Sequence, residues 1–138
     1  MGPDDNVATL RRLIEAVNQN DLARVAPEVI APGFVRHDVA GTWPGVRGEG
    51  GVIDLIGSLR AALPDMHFEI DDIFGAGDRV AMRFTLSGTH RAELLGRPPT
   101  GRPITVSGIN IYRLEDGKIV ETWQLADVAG LVHQLEDA

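Results

Sequence analysis

The 138-residue chain contains no cysteine. That excludes disulfides, thiolate-bound metals and a cysteine nucleophile. Basic residues are few, 13 Lys and Arg against 20 Asp and Glu, for a net charge of −7. Phosphate backbones and anionic lipid both need a concentrated cationic surface, and the arginines here do not cluster. Neither nucleic acid nor a membrane is expected as a partner. Long hydrophobic runs are also missing, where about 20 residues are needed to cross a bilayer. The start, Met1-Gly2-Pro3-Asp4-Asp5, is acidic where a secretion signal would be basic and then apolar. A cytoplasmic location is the expectation. His37, His67, His90 and His133 lack metal-ligand spacing, and no serine sits in a nucleophile elbow. Gly75-Ala76-Gly77 lacks the following helix that a dinucleotide loop requires.

What is present suits one domain, residues 1–138, with one core, given a hydrophobic content of 43%. Leu10, Leu13, Ile14 and Val17 fall on one stripe and predict a helix over Val7 to Gln19. Asn20-Asp21 caps a second short helix carrying Leu22, Val25 and Val29, which Ala31-Pro32-Gly33 ends. Phe34 to Val39 reads as a short strand and Gly41 to Gly51 as a Gly- and Pro-rich loop around Trp43. Val52, Ile56, Leu59 and Leu63 then give a third helix, stopped at Pro64-Asp65. From Met66 the period changes to two. Met66, Phe68 and Ile70 form one strand face, and Val80, Met82, Phe84 and Leu86 form the next across Gly75-Ala76-Gly77-Asp78. Ile104 to Leu114 and Ile119 to Leu125 form a last hairpin over Asp116-Gly117. Val128 to Leu135 reads as a terminal helix. Helices segregated from antiparallel strands define an α+β fold.

The last hairpin carries two kinds of face. Ile109, Ile111, Ile119, Trp123 and Leu125 share a bulky parity. Val106, Gly108, Asn110, Tyr112, Val120, Thr122, Gln124 and Ala126 share the other, where small and polar groups mix with apolar ones as in a pocket lining. Helices cover only one face of so small a sheet, so the other is expected to meet another subunit in a homodimer or homotetramer.

Several segments occur in an order that resembles a known family. They are Phe34-Val35-Arg36-His37-Asp38, Leu63-Pro64-Asp65-Met66-His67, Gly77-Asp78-Arg79-Val80-Ala81, Gly88-Thr89-His90, Gly96-Arg97-Pro98-Pro99-Thr100-Gly101-Arg102 and Arg113 through Glu121. Trp123, Asp127 and Gly130-Leu131-Val132-His133-Gln134-Leu135 close the series. Together they resemble the SnoaL-like polyketide cyclases of the nuclear-transport-factor-2-like superfamily, over nearly the whole chain. The resemblance implies a cone-shaped curved sheet, mixed or antiparallel, with three N-terminal helices enclosing an apolar pocket. It implies oligomers, no metal and no organic cofactor. The implied reaction is an intramolecular aldol cyclisation of an aromatic polyketide ester, with an aspartate on the last long strand as acid/base. Aligned on Asp116-Gly117-Lys118-Ile119, that aspartate falls at Gln124, and a family histidine falls at Asn110. An amide donates and accepts hydrogen bonds but exchanges no proton near neutrality. A related hydroxylase or isomerase, and a non-catalytic binder of apolar small molecules, are therefore the alternatives.

With Gln124 in that place, the proton-moving candidates are His37, His90 and Asp127. His37 would be a base oriented by a carboxylate, although Asp38 points the other way along a strand. His90 shares the apolar parity of Phe84 and Leu86. Asp127 either re-aims inward at a bulge or, as the better reading, caps the terminal helix. Asn110, Gln124 and Thr122 are candidates for holding a substrate carbonyl or phenol, and Trp43 for stacking on a planar ligand.

Overall fold

The computed structural model describes residues 2–39 and 46–136. Helix α1 (Pro3–Asn18) starts at Pro3 rather than Val7, because capping sets its start more than apolar spacing does. Proline in the first turn loses no intrahelical bond, and Asp4 and Asp5 complement the positive end of the helix dipole. Its stripe of Leu10, Leu13, Ile14 and Val17 is buried. The Asn18 side chain holds the backbone of Phe68 at both its N–H and its C=O, at 2.8 and 2.9 Å, tying the helix end to the sheet. Asn20, at a φ of 56°, turns the chain into α2 (Leu22–Val29).

The strands are β1 (Ile30–Asp38), β2 (Val46–Arg47), β3 (His67–Ala76), β4 (Arg79–Thr89), β5 (Pro103–Glu115) and β6 (Lys118–Ala126). Helix α3 (Gly48–Ala62) follows β2, and α4 (Val128–Glu136) ends the described chain. The strands form one sheet in the order β2-β1-β6-β5-β4-β3. β1 runs parallel to β6 and every other neighbouring pair is antiparallel, so the sheet is mixed. The Asp116-Gly117 hairpin forms as expected, with both residues at positive φ, 51° and 78°. Helix α1 lies against β3 and β4, α3 against β1 and α4 against β5. The α+β class stands, but among the described residues the helical cover has four members, since the C-terminal helix joins the three that precede the long strands.

Register shifts in the β3–β4 and β5–β6 pairs bend the sheet. The second one corrects a side-chain assignment. Leu114 pairs with Ile119 but Arg113 pairs with Glu121, leaving Val120 as an extra residue. Ile119 therefore turns to the buried face with Leu114, away from the bulky parity predicted for it. The core gathers Leu10, Val29, Ile30, Leu63, Val80, Met82 and Phe84 between helices and sheet. Glycine at 108 is required, because a Cβ there would come within 2.6 Å of the Phe84 ring. On the far face Ile109, Ile111 and Leu125 remain about half exposed.

Candidate functional site

Strands β1, β6 and β5 lie side by side, and their register decides which polar groups meet. One row joins Arg36, Thr122 and Tyr112, and the next joins Asp38, Gln124 and Asn110. Strand alternation gives these positions a common face. Beneath it lies a cavity that opens to solvent at one mouth. Leu13 and Ile14 of α1, Leu55, Ile56 and Leu59 of α3, and Phe68, Phe84 and Val106 of the sheet form its apolar walls. Its polar end consists of Arg36, Asn110, Tyr112, Thr122 and Gln124.

Arg36 organises that end. The residue is only 5% exposed, and its Nε donates to Gln124 Oε1 at 2.8 Å. Its Nη1 is buried without a hydrogen-bond partner. Burial draws the guanidinium below its ordinary range, while Asp38 and then Tyr112 act in the opposite sense. An arginine stays charged in such surroundings, so the cavity contains a fixed cation. Asn110 Nδ2 donates to the Tyr112 hydroxyl at 2.8 Å, and Asn110 Oδ1 is buried and unpartnered. Burial pushes the Tyr112 phenol up to about 12, against the bond from Asn110 and the charge of Arg36. It is un-ionised at neutral pH. Thr122 Oγ1 donates to the Ile111 carbonyl at 3.0 Å, so its hydroxyl braces the strand pair. The described lining thus offers cationic and neutral donors but no carboxylate and no imidazole.

Asn110, Gln124 and Thr122 all line the cavity, and Asn110 and Gln124 are direct register partners. His37 does not join them. Its side chain is 42% exposed, bonds Glu121 at 2.6 Å and stacks on Trp123 with ring centroids 5.4 Å apart. The pocket-facing expectation for His37 is corrected by strand parity: buried Phe34 and Arg36 point inward, so His37 points outward. Glu121 also accepts from Arg113 at 3.1 Å, and Arg79 lies over Trp123 at 4.9 Å, so the outer face carries its own charged network.

Asp127 is a helix cap. Its Oδ1 accepts the N–H of Gly130 at 2.9 Å at the start of α4, so the base reading is corrected in favour of the cap. His90 is fully buried but lies outside the described lining. Its Nδ1 accepts the Thr100 N–H at 3.2 Å, and its backbone pairs with Arg102 and Gly101. It holds the connection between β4 and β5, which corrects its reading as a cavity base. Trp43 lies outside the described residues. Arg36, next to His37 and of opposite parity, is not anticipated by the sequence, whereas Tyr112 lies on the parity expected to line the pocket but is not singled out there as a site residue. Among the described residues no group of acidic or histidine side chains could hold a metal ion.

An apolar cavity with a cation and neutral hydrogen-bonding groups at one end is built as a small-molecule site. The particular family is also fixed. The sequence pattern of the SnoaL-like polyketide cyclases matches residues 7–135, and the chain belongs to that family. The aklanonic acid methyl ester cyclase DnrD of Streptomyces peucetius is 30% identical over 131 residues, covering 91% of this chain and 87% of its own. The crystal structure of IdmH from Streptomyces antibioticus, reported as a candidate polyketide cyclase, matches with a TM-score of 0.83 at 34% identity, covering 96% of this chain and 99% of IdmH. That of AclR from Streptomyces galilaeus, reported as a candidate hydroxylase, matches with a TM-score of 0.84 at 27% identity, covering 97% of each chain.

Proposed function

We propose that the protein is a tailoring enzyme that closes a ring in an aromatic polycyclic polyketide ester by an aldol reaction through an enolate, with no metal or organic cofactor. One observation carries the reading. A buried arginine at the polar end of an apolar cavity has one N–H group bonded to Gln124 and another left for a ligand. A carbon flanked by two carbonyls loses its proton readily, so the chief demand is to stabilise the resulting anion rather than to supply a strong base. In this reading Arg36 holds the enolate oxygen and solvent at the mouth takes the proton. The enolate carbon then attacks a ketone of the same molecule, forming one C–C bond and turning the ketone oxygen into an alkoxide. Tyr112, held un-ionised by burial, is the donor that protonates it, and the proton released to solvent in the first step is returned to Tyr112 from the mouth. Gln124 is read as standing where the family's acid/base aspartate stands, with its role changed to fixing Arg36.

The unit of function in this reading is the single domain, 1–138, acting in the cytoplasm. A second copy covers the outer face, where Ile109, Ile111 and Leu125 lie about half exposed on neighbouring strands, giving a homodimer or homotetramer. The test of activity is incubation with aklanonic acid methyl ester, the compound for which DnrD is named. The expected product has unchanged mass, one more ring and one fewer ketone. Tight binding with no such product would favour the non-catalytic binder instead.

A further inference from the structure

Two buried polar atoms at the cavity end lack partners, and they differ in kind. Arg36 Nη1 is a charged donor on a residue 5% exposed, and Asn110 Oδ1 is a neutral acceptor on one 7% exposed. Gln124 connects them, accepting from Arg36 Nε and lying directly opposite Asn110 in the β5–β6 register. Leaving either atom desolvated and unpaired is unfavourable, and the penalty is larger for the charged one. A ligand that relieves both must present an acceptor to Arg36 and a donor to Asn110. Rotating the Asn110 amide would exchange which of Asn110 and Tyr112 accepts, and the pair would still offer the ligand one donor and one acceptor.

We infer that the site takes its ligand as a singly ionised hydroxy-carbonyl. An enolate or phenolate oxygen lies on Arg36 Nη1, and an un-ionised hydroxyl of the same molecule donates to Asn110 Oδ1. This rests on the proposed reading of the same cavity and adds the ionisation state and donor pattern of what enters it. A neutral hydrocarbon leaves both atoms unpaired. A plain ketone satisfies Arg36 but sets a second acceptor against Asn110. A doubly ionised ligand sets a negative oxygen there, which is worse. The groups acting on the Arg36 charge are Asp38 on its own strand and Tyr112 on β5, while α3 presents Val52, Leu55 and Ile56 to the cavity. Tyr112 does not ionise until about pH 12, so it supplies no competing anion.

Quinizarin, a dihydroxyanthraquinone that turns from orange to violet on losing one proton, reports the bound state directly. Its dimethyl ether has the same ring system but no proton to lose or donate. At a pH where free quinizarin is orange, the protein is expected to bind it with a violet spectrum and to bind the ether about tenfold more weakly. Arg36→Met is expected to abolish the colour change and to narrow the preference for the dye over the ether to about the fivefold that Asn110 supplies. Asn110→Leu is expected to retain the colour change while losing about fivefold in affinity. Melting curves of both variants establish that they are folded. Orange bound quinizarin, or equal affinity for dye and ether, overturns the inference and leaves the cavity reading standing. No binding of either compound overturns both.

Discussion

Arg36 Nε and Gln124 Oε1 are joined by a 2.8 Å hydrogen bond between β1 and β6, across the parallel pair of the sheet. The bond fixes where the cation lies. Gln124→Leu removes the acceptor and leaves a second guanidinium N–H buried without a partner, a loss of about 1–3 kcal/mol. Turnover is expected to fall about tenfold as the guanidinium loses its position. Gln124→Glu retains the bond but adds a negative charge beside the one cation among the described lining residues. Its stability is expected to be held while turnover falls further, because the charge that should meet the enolate is already neutralised. Urea midpoints and kcat for the two variants check both statements.

Asp65 ties the end of α3 to the end of β4 by accepting the Thr89 N–H and hydroxyl, each at 2.7 Å. The backbone bond first and the hydroxyl bond second hold its carboxyl below the ordinary range. A carboxyl depressed in the folded state contributes stability above its unfolded pKa of about 3.9. That contribution is lost as pH falls through the folded value. Asp65→Asn is therefore expected to be less stable than the parent at neutral pH, and the gap is expected to close in strong acid. Urea midpoints at neutrality and below about pH 3 measure it.

Gly108 lets the Phe84 ring cross β5. A Cβ at this position would meet that ring at 2.6 and 2.8 Å and the Leu125 carbonyl at 3.0 Å, so it has no direction in which to yield. Gly108→Ala is expected to destabilise the fold by about 1–3 kcal/mol. It also pushes Phe84 into the cavity, so a lower denaturation midpoint should accompany weaker binding of any polycyclic ligand.

Much of this architecture was legible because local chemistry and tertiary packing agree. The stripe of α1, the Asp116-Gly117 turn and the period-two faces of β4 and β5 each follow from sequence spacing, and the structure keeps them. The pairing of Asn110 with Gln124 is not set by the hairpin turn alone, because the register of Glu115 with Lys118 would place Asn110 opposite Trp123 and the extra residue Val120 moves it to Gln124. The misreadings arise where a tertiary choice overrides the local signal. His37 attracts attention as the titratable group, yet Phe34 decides which parity enters the core and admits Arg36 instead. Val120 bulges and turns Ile119 over, which no alternation pattern announces. Asp127 carries both a base signature and a cap signature, and the Gly130 N–H settles it as a cap. His90 lies on an apolar parity but is used to hold a loop.

The central claim is that a fixed cation inside the cone, rather than the imidazole outside it, drives the chemistry. The direct test is kcat/KM of Arg36→Met and of His37→Ala on the same polyketide ester. The Arg36 variant is expected to lose about 100-fold or more, the scale of removing one oxyanion donor. The His37 variant is expected to stay within about twofold of the parent, as a change confined to the outer face should. A full-strength Arg36→Met enzyme beside an inactive His37→Ala enzyme would contradict the account.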